Sequence, residues 1–142
     1  MQTISGTQEE LAPRLRWTIT RLARRLRQEA GTELGPSQVA ALATIERHGP
    51  LSPSELAELE RIKRPTATRI LRHLEEAGLA ERVKDPDDGR GSIVSVTADG
   101  RAHLKRLRAR KTAYLATRLD GLSPKERHTL ERAAELLEGM LE

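Results

Sequence analysis

Apolar positions recur along this chain at three- and four-residue steps, with short polar breaks between them. Leu11, Leu15, Ile19, Leu22 and Leu26 mark one face of a long first helix. Thr7 and Glu10 open it at capping-box spacing, and it stops near Ala30-Gly31. A second helix is predicted between the Gly35-Pro36 start and the Gly49-Pro50 stop. Ser52, followed by Pro53 and by Glu55 three residues on, starts a third. After a turn at Arg61-Ile62, residues 62–79 read as a fourth helix. Its stripe is Ala67, Ile70, Leu71, Leu74 and Ala77, and Gly78 ends it. The period then changes. Ala80–Val83 and Ile93–Val96 are short, β-prone and joined by a polar Asp/Pro/Gly tract, which predicts a hairpin with a long tip. A very basic helix follows from Asp99 to about Leu119. A last helix runs from Ser123–Glu126 to the C-terminus. The order predicts a mainly α, winged helix-turn-helix protein with a small β-hairpin wing.

The fourth helix carries its charges in an unusual order. Lys63, Arg64, Arg69 and Arg72 all come before Glu75 and Glu76, which sit near its end. A helix N-terminus is the positive end of the macrodipole, so stability alone favours the reverse, by roughly 0.3–1 kcal/mol per exposed charge. The second helix of a helix-turn-helix presents its N-terminal residues to base edges and phosphates. Lys63, Arg64, Thr66, Thr68 and Arg69 at this end fit that role, because free N–H groups, dipole and side chains all favour phosphate. An ordinary amphipathic surface helix would explain the stripe but not the charge order.

Composition narrows the partners. Charged residues make up 32% of the 142-residue chain, net charge is +4 and the pI is about 9.9, which suits a polyanion without demanding one. One Trp, one Tyr and no Phe leave an aliphatic core. The absence of cysteine excludes disulfides and thiolate metal sites. No stretch approaches the ~18–20 apolar residues of a membrane span. "MQTISGTQEE" has neither a basic n-region nor an apolar run, so a cytoplasmic protein without membrane association is expected.

The stretch from Glu55 to Gly100 resembles the MarR (multiple antibiotic resistance regulator) family of bacterial transcription regulators. Arg64, Pro65, Thr66, Arg69, Leu74, Glu75, Gly78, Leu79 and Arg82 match the family's recognition-helix pattern. Asp85, Pro86, Asp88 and Arg90 match its wing, and Val94, Thr97 and Gly100 the return strand and next helix. "LGPSQVAAL" looks like the family's second helix. The resemblance implies a single MarR-like domain over 1–142. Residues 36–98 would form the DNA-binding lobe, and 1–32 and 99–142 dimerisation helices. It implies a homodimer on a palindrome of double-stranded DNA, with Arg90 in the minor groove and Asp88 as its partner. It also implies release by a small aromatic or anionic ligand between the dimerisation helices and the DNA-binding lobe. The DNA-binding set expected here is therefore Lys63, Arg64, Thr66, Thr68, Arg69, Arg72, Lys84, Asp88 and Arg90, with Trp17 and Tyr114 beside the effector pocket. Three positions depart from the family. Lys63 stands where Ser often caps the recognition helix, so a poorly capped end is expected, ordered mainly on DNA. Arg61 stands where Gly is usual, so a different or strained turn is expected. Gly89 stands where Arg is frequent, so one wing phosphate contact is expected to be missing.

Other chemistry is poorly served. "DPDDG" lacks the spacing and closing Glu of a calcium loop. His48, His73, His103 and His128 are scattered without metal-ligand spacing. There is no Gly-rich phosphate loop and no nucleophile set, so neither an enzyme nor a cofactor is expected. The basic runs Arg14–Arg27 and Arg101–Lys111 read as solvated or dimer faces, with contact to DNA flanks as the alternative. The expected function is a ligand-released dimeric repressor. The alternative is a DNA-binding or protein-interaction dimer with no effector.

Overall fold

A computed structural model describes residues 8–87 and 91–142. Thr7 of the expected first capping box, and Asp88, Gly89 and Arg90 of the expected wing tip, lie outside the described residues. Of the described residues 73% are helical, and two strands among them form one antiparallel sheet. The elements are α1 (Gln8–Ala30), α2 (Pro36–His48), α3 (Pro53–Glu60), α4 (Arg64–Glu76), β1 (Ala80–Lys84), β2 (Ser92–Val96), α5 (Ala98–Asp120) and α6 (Pro124–Gly139).

Helix ends follow local chemistry. Ser52 Oγ accepts from Glu55 N–H while Glu55 Oε1 accepts from Ser52 N–H, the reciprocal box that starts α3. Ser123 and Glu126 do the same for α6, and these bonds hold the Glu126 carboxyl below the usual carboxylate range. At α2 only the return half forms, with Gln38 Oε1 accepting from Gly35 N–H. Thr97 caps α5 by accepting from Gly100 N–H, so that helix begins just before the expected Asp99.

The fourth helix is shorter than the 62–79 expected. Arg61 adopts the left-handed conformation (φ 55°, ψ 46°). Its N–H bonds Glu58 O, and Ile62 N–H bonds Ala57 O, which is a Schellman ending to α3. Ile62 packs half-buried against the core, so it belongs to the turn. Lys63 caps α4 with backbone only, as expected of a side chain with no acceptor, and Ala67 N–H bonds Lys63 O. The helix begins at Arg64, with Pro65 in its first turn. At the other end Gly78 takes φ 77° and turns the chain into β1.

The core sits between α2, α3, α4, the hairpin and the start of α5. Leu42, Ile45, Leu56, Leu71, Leu74, Val94 and Leu104 are its fully buried large side chains. Each contributes roughly 1.5–3 kcal/mol relative to exposure. β1 and β2 pair with Ala80 opposite Val96 and Arg82 opposite Val94. Leu51 adds a bridge to Val94, tying the sheet edge to the start of α3. Outside this core, α1 lies along α5, where Ala30 and Leu107 are buried. Arg110 donates to Ala30 O at 2.8 Å, and Arg108 pairs with Glu46 at 2.9 Å, locking α5 to α1 and α2. No residue of α6 is buried within this chain.

Candidate nucleic-acid interface

The buried stripe of α4 fixes which way its other face looks. Ala67, Ile70, Leu71 and Leu74 enter the core, so Arg64, Arg69 and Arg72 are exposed. Arg64, Thr68 and Arg72 follow at four-residue steps, and Arg69 lies three residues before Arg72, so they share one surface. Thr66 and Thr68 are half-buried beside them, and Lys63 is exposed at the helix entrance. Among the described residues no carboxylate pairs with Lys63, Arg64, Arg69 or Arg72. Lys63 and Arg64 stand at the positive end of the helix dipole, an arrangement that is unfavourable until an anion sits there, and Arg69 and Arg72 continue the same cationic surface further along the helix.

The hairpin stands beside this surface. Lys84 ends β1 and is exposed. Asp85 N–H bonds Gly91 O, and Asp85 Oδ1 accepts from Asp87 N–H, closing the base of the tip. Where the side chains of Asp88 and Arg90 lie is outside the described residues.

The acidic end of α4 has its own partner. Arg82 of β1 donates Nη2 to Glu75 Oε1 at 2.9 Å and Nε to Glu75 Oε2 at 3.4 Å. Its Nη1 donates to Ser92 Oγ of β2 at 2.8 Å. The Glu75 bond raises the Arg82 pKa further, partly opposed by burial. Both residues are in the matched pattern, but nothing in their spacing signals that they meet.

A second feature lies away from this surface. A cleft of about 600 Å3 opens between α1, the α1–α2 turn, α2 and α5. Leu26, Leu34, Val39 and Leu107 give it an aliphatic wall, and Arg24, Arg27 and Lys111 supply cations. Neither Trp17 nor Tyr114 lines it. Trp17 is 58% exposed with Arg21 over its ring at 4.4 Å, and Tyr114 lies between Arg25 and Arg118. The two basic runs contained the cleft cations, but the runs are too long for spacing alone to show which side chains converge.

Beside the cleft, His103 Nε2 lies 3.0 Å from Thr32 Oγ1, and Arg106 Nη2 lies 3.4 Å from Nδ1. A guanidinium only donates, so the contact assigns the lone pair to Nδ1 and the proton to Nε2. Burial, then the charges of Arg106 and Arg110, lower the His103 pKa. Among the described residues no group of His, Asp and Glu could hold a metal ion. Nor is any described helix long and apolar enough to cross a membrane.

A helix-turn-helix with an exposed cationic second helix and a β-hairpin beside it defines a DNA-binding transcriptional regulator of the winged-helix class. The chain belongs to the MarR family: the family model matches residues 34–92. It is 36% identical over 128 residues to the HTH-type transcriptional regulator Mb0904 of Mycobacterium bovis, covering 89% of this chain and 90% of that one. A transcriptional regulator protein of Pseudomonas aeruginosa PA01 superposes with TM-score 0.84 at 35% identity, covering 96% of this chain and 98% of that one. The fold also matches a mutant of MepR from S. aureus bound to an oligodeoxyribonucleotide, with TM-score 0.72 at 19% identity over 97% of this chain and all of that one.

Proposed function

We propose that this regulator is a dimeric repressor that occupies a palindromic operator and is released by a small anionic ligand, aromatic or not. The observation that carries the DNA reading is the cluster of Lys63, Arg64, Arg69 and Arg72 on one exposed surface of α4, with no carboxylate partner among the described residues. The oligonucleotide-bound MepR relative in fold supports it. Lys84, Asp88 and Arg90 extend the contact along the hairpin in this reading.

Dimerisation is supported by apolar side chains that one chain leaves in water. Leu11, Trp17, Ile19 and Leu22 of α1 and Leu130 and Leu136 of α6 are each more than 40% exposed. A symmetric dimer would cover them and set two recognition helices about one DNA turn apart, ~34–36 Å. Such a dimer lying across an operator blocks polymerase. The cleft supports the release step, since Arg24, Arg27 and Lys111 suit an anion beside an aliphatic wall. Residues 36–98 then read DNA, while 1–32 and 99–142 hold the dimer.

The test is footprinting on the DNA upstream of the protein's own gene, with and without phenolic carboxylates. A symmetric protected site that disappears on adding an effector is expected. Protection without symmetry removes the dimeric operator. Protection that no anion relieves removes the effector.

A further inference from the structure

The Arg82 guanidinium joins three elements at once. It holds both oxygens of Glu75 on the last turn of α4 and the hydroxyl of Ser92 on β2, from its own place on β1. Arg82 faces Val94 across the ladder, and Ser92 lies two residues before Val94, so the bond runs diagonally across the hairpin. Glu75 is eleven residues past Arg64, about 16 Å along the helix axis. The grip is therefore at the far end of α4 from its cationic start. A carboxylate at a helix C-terminus is disfavoured by the dipole, and Glu75 is offset there by a partner of opposite charge. A guanidinium is a rigid planar fork, so a two-oxygen grip fixes orientation as well as distance.

We infer that Arg82 is a positioning residue: by gripping Glu75 and Ser92 it sets the hairpin at one angle to α4, so that recognition helix and wing meet DNA in a single register. This rests on the reading that both α4 and the hairpin touch DNA. Sequence discrimination then depends on a side chain that touches no base. Glu75 and Ser92 are the other two members of the same device. The Arg82 charge is occupied by Glu75, so its part is geometric and not that of a phosphate contact.

The experiment uses two duplexes of equal length: a palindrome selected by this protein from a random pool, and an unselected random duplex. Arg82→Lys keeps the charge and loses the fork. It is expected to weaken binding to the selected duplex about tenfold and to leave the random duplex within about twofold. Arg82→Ala is expected to behave alike, so that Lys fails to rescue. Glu75→Gln removes a negative charge, and simple electrostatics therefore predicts tighter binding to both duplexes. The positioning role predicts weaker binding to the selected one alone. Ser92→Ala leaves the Glu75 pair in place and is expected to cost less, about two- to threefold. Melting should move little, because the pair is half-exposed. Arg82→Lys and Glu75→Gln binding the selected duplex as wild type does overturns the inference. So does an equal loss on both duplexes in Arg82→Ala, which makes Arg82 a phosphate contact. Arg69→Ala and Arg90→Ala run in parallel. If they weaken selected binding while Arg82→Lys does not, only the positioning role falls. If neither weakens it, the helix-and-wing reading falls and takes this one with it.

Discussion

Gly100 packs directly on the Leu79 carbonyl: a Cβ at position 100 would overlap that oxygen and stand 2.8 Å from Val96 Cγ2. Leu79 O is also the acceptor for Thr97 N–H, and Thr97 Oγ1 donates to Gly78 O. One joint thus ties the end of α4, the hairpin base and the start of α5.

Gly100→Ala is accordingly expected to destabilise the protein. The obstacle is backbone and cannot swing aside, so overpacking of about 1–3 kcal/mol is the expected scale. Thermal melting should fall by several degrees. A melting curve that matches wild type would mean that α5 can shift freely against the hairpin.

Arg61 offers the opposite sign. It holds the left-handed position that ends α3, where a side chain is strained by roughly 1–2 kcal/mol. Arg61→Gly should be more stable than Arg61→Ala by roughly 1 kcal/mol. Both variants lose the same charge, so their difference in denaturant midpoint isolates the backbone. Equal midpoints would show that the turn tolerates a side chain without strain.

His103 gives a pH dependence whose sign is fixed by its surroundings. Its pKa is lowered in the fold, so the unfolded chain takes up the proton first as pH falls. Stability from the neutral imidazole is complete above about 6.5, the ordinary His value, and is lost as pH falls through the lower folded value. Wild type should lose more melting temperature between pH 7.5 and 5.5 than His103→Asn. Identical losses would place the pH dependence elsewhere.

Much of this was legible because the signals are local. Ser52 with Glu55, Ser123 with Glu126, and the Gly78 stop each act within a few residues, and the elements they bound appear where expected. The cationic start of α4 was legible because the dipole gives charge order a meaning. The N-terminal limit of α4 was not. Ile62 continues the apolar period, but the left-handed Arg61 makes it part of the preceding turn. The Arg82 grip and the cleft cations depend on side chains brought together across elements, 7 residues apart for Arg82 and Glu75 and more than 80 for Arg24 and Lys111. No period or spacing encodes those meetings. Trp17 and Tyr114 were conspicuous as the chain's two aromatic rings, yet their partners in this chain are arginines and not the cleft wall.

The last prediction separates reading from gripping along the DNA. Arg69 is exposed on α4, and in the proposed reading it meets base edges in the major groove, where a good side-chain pair is worth ~1–3 kcal/mol of discrimination. Arg90 belongs to the tract that joins the two strands, and a minor-groove Arg responds to groove width and negative potential, strongest at A·T-rich steps. Arg69→Ala should therefore weaken specific binding and relax preference inside the half-site. Arg90→Ala should lower affinity, reduce the salt slope by about one unit, and lose preference for A·T-rich flanks while keeping half-site preference. Arg69→Ala should leave melting close to wild type, because its side chain enters no core contact. Titrating operator variants at several salt concentrations, with melting in parallel, makes the comparison. If Arg90→Ala binds every variant as wild type does, the hairpin is not a DNA-reading wing. Discrimination would then rest on α4 alone, with the Arg64, Thr68, Arg69 and Arg72 surface as its whole extent.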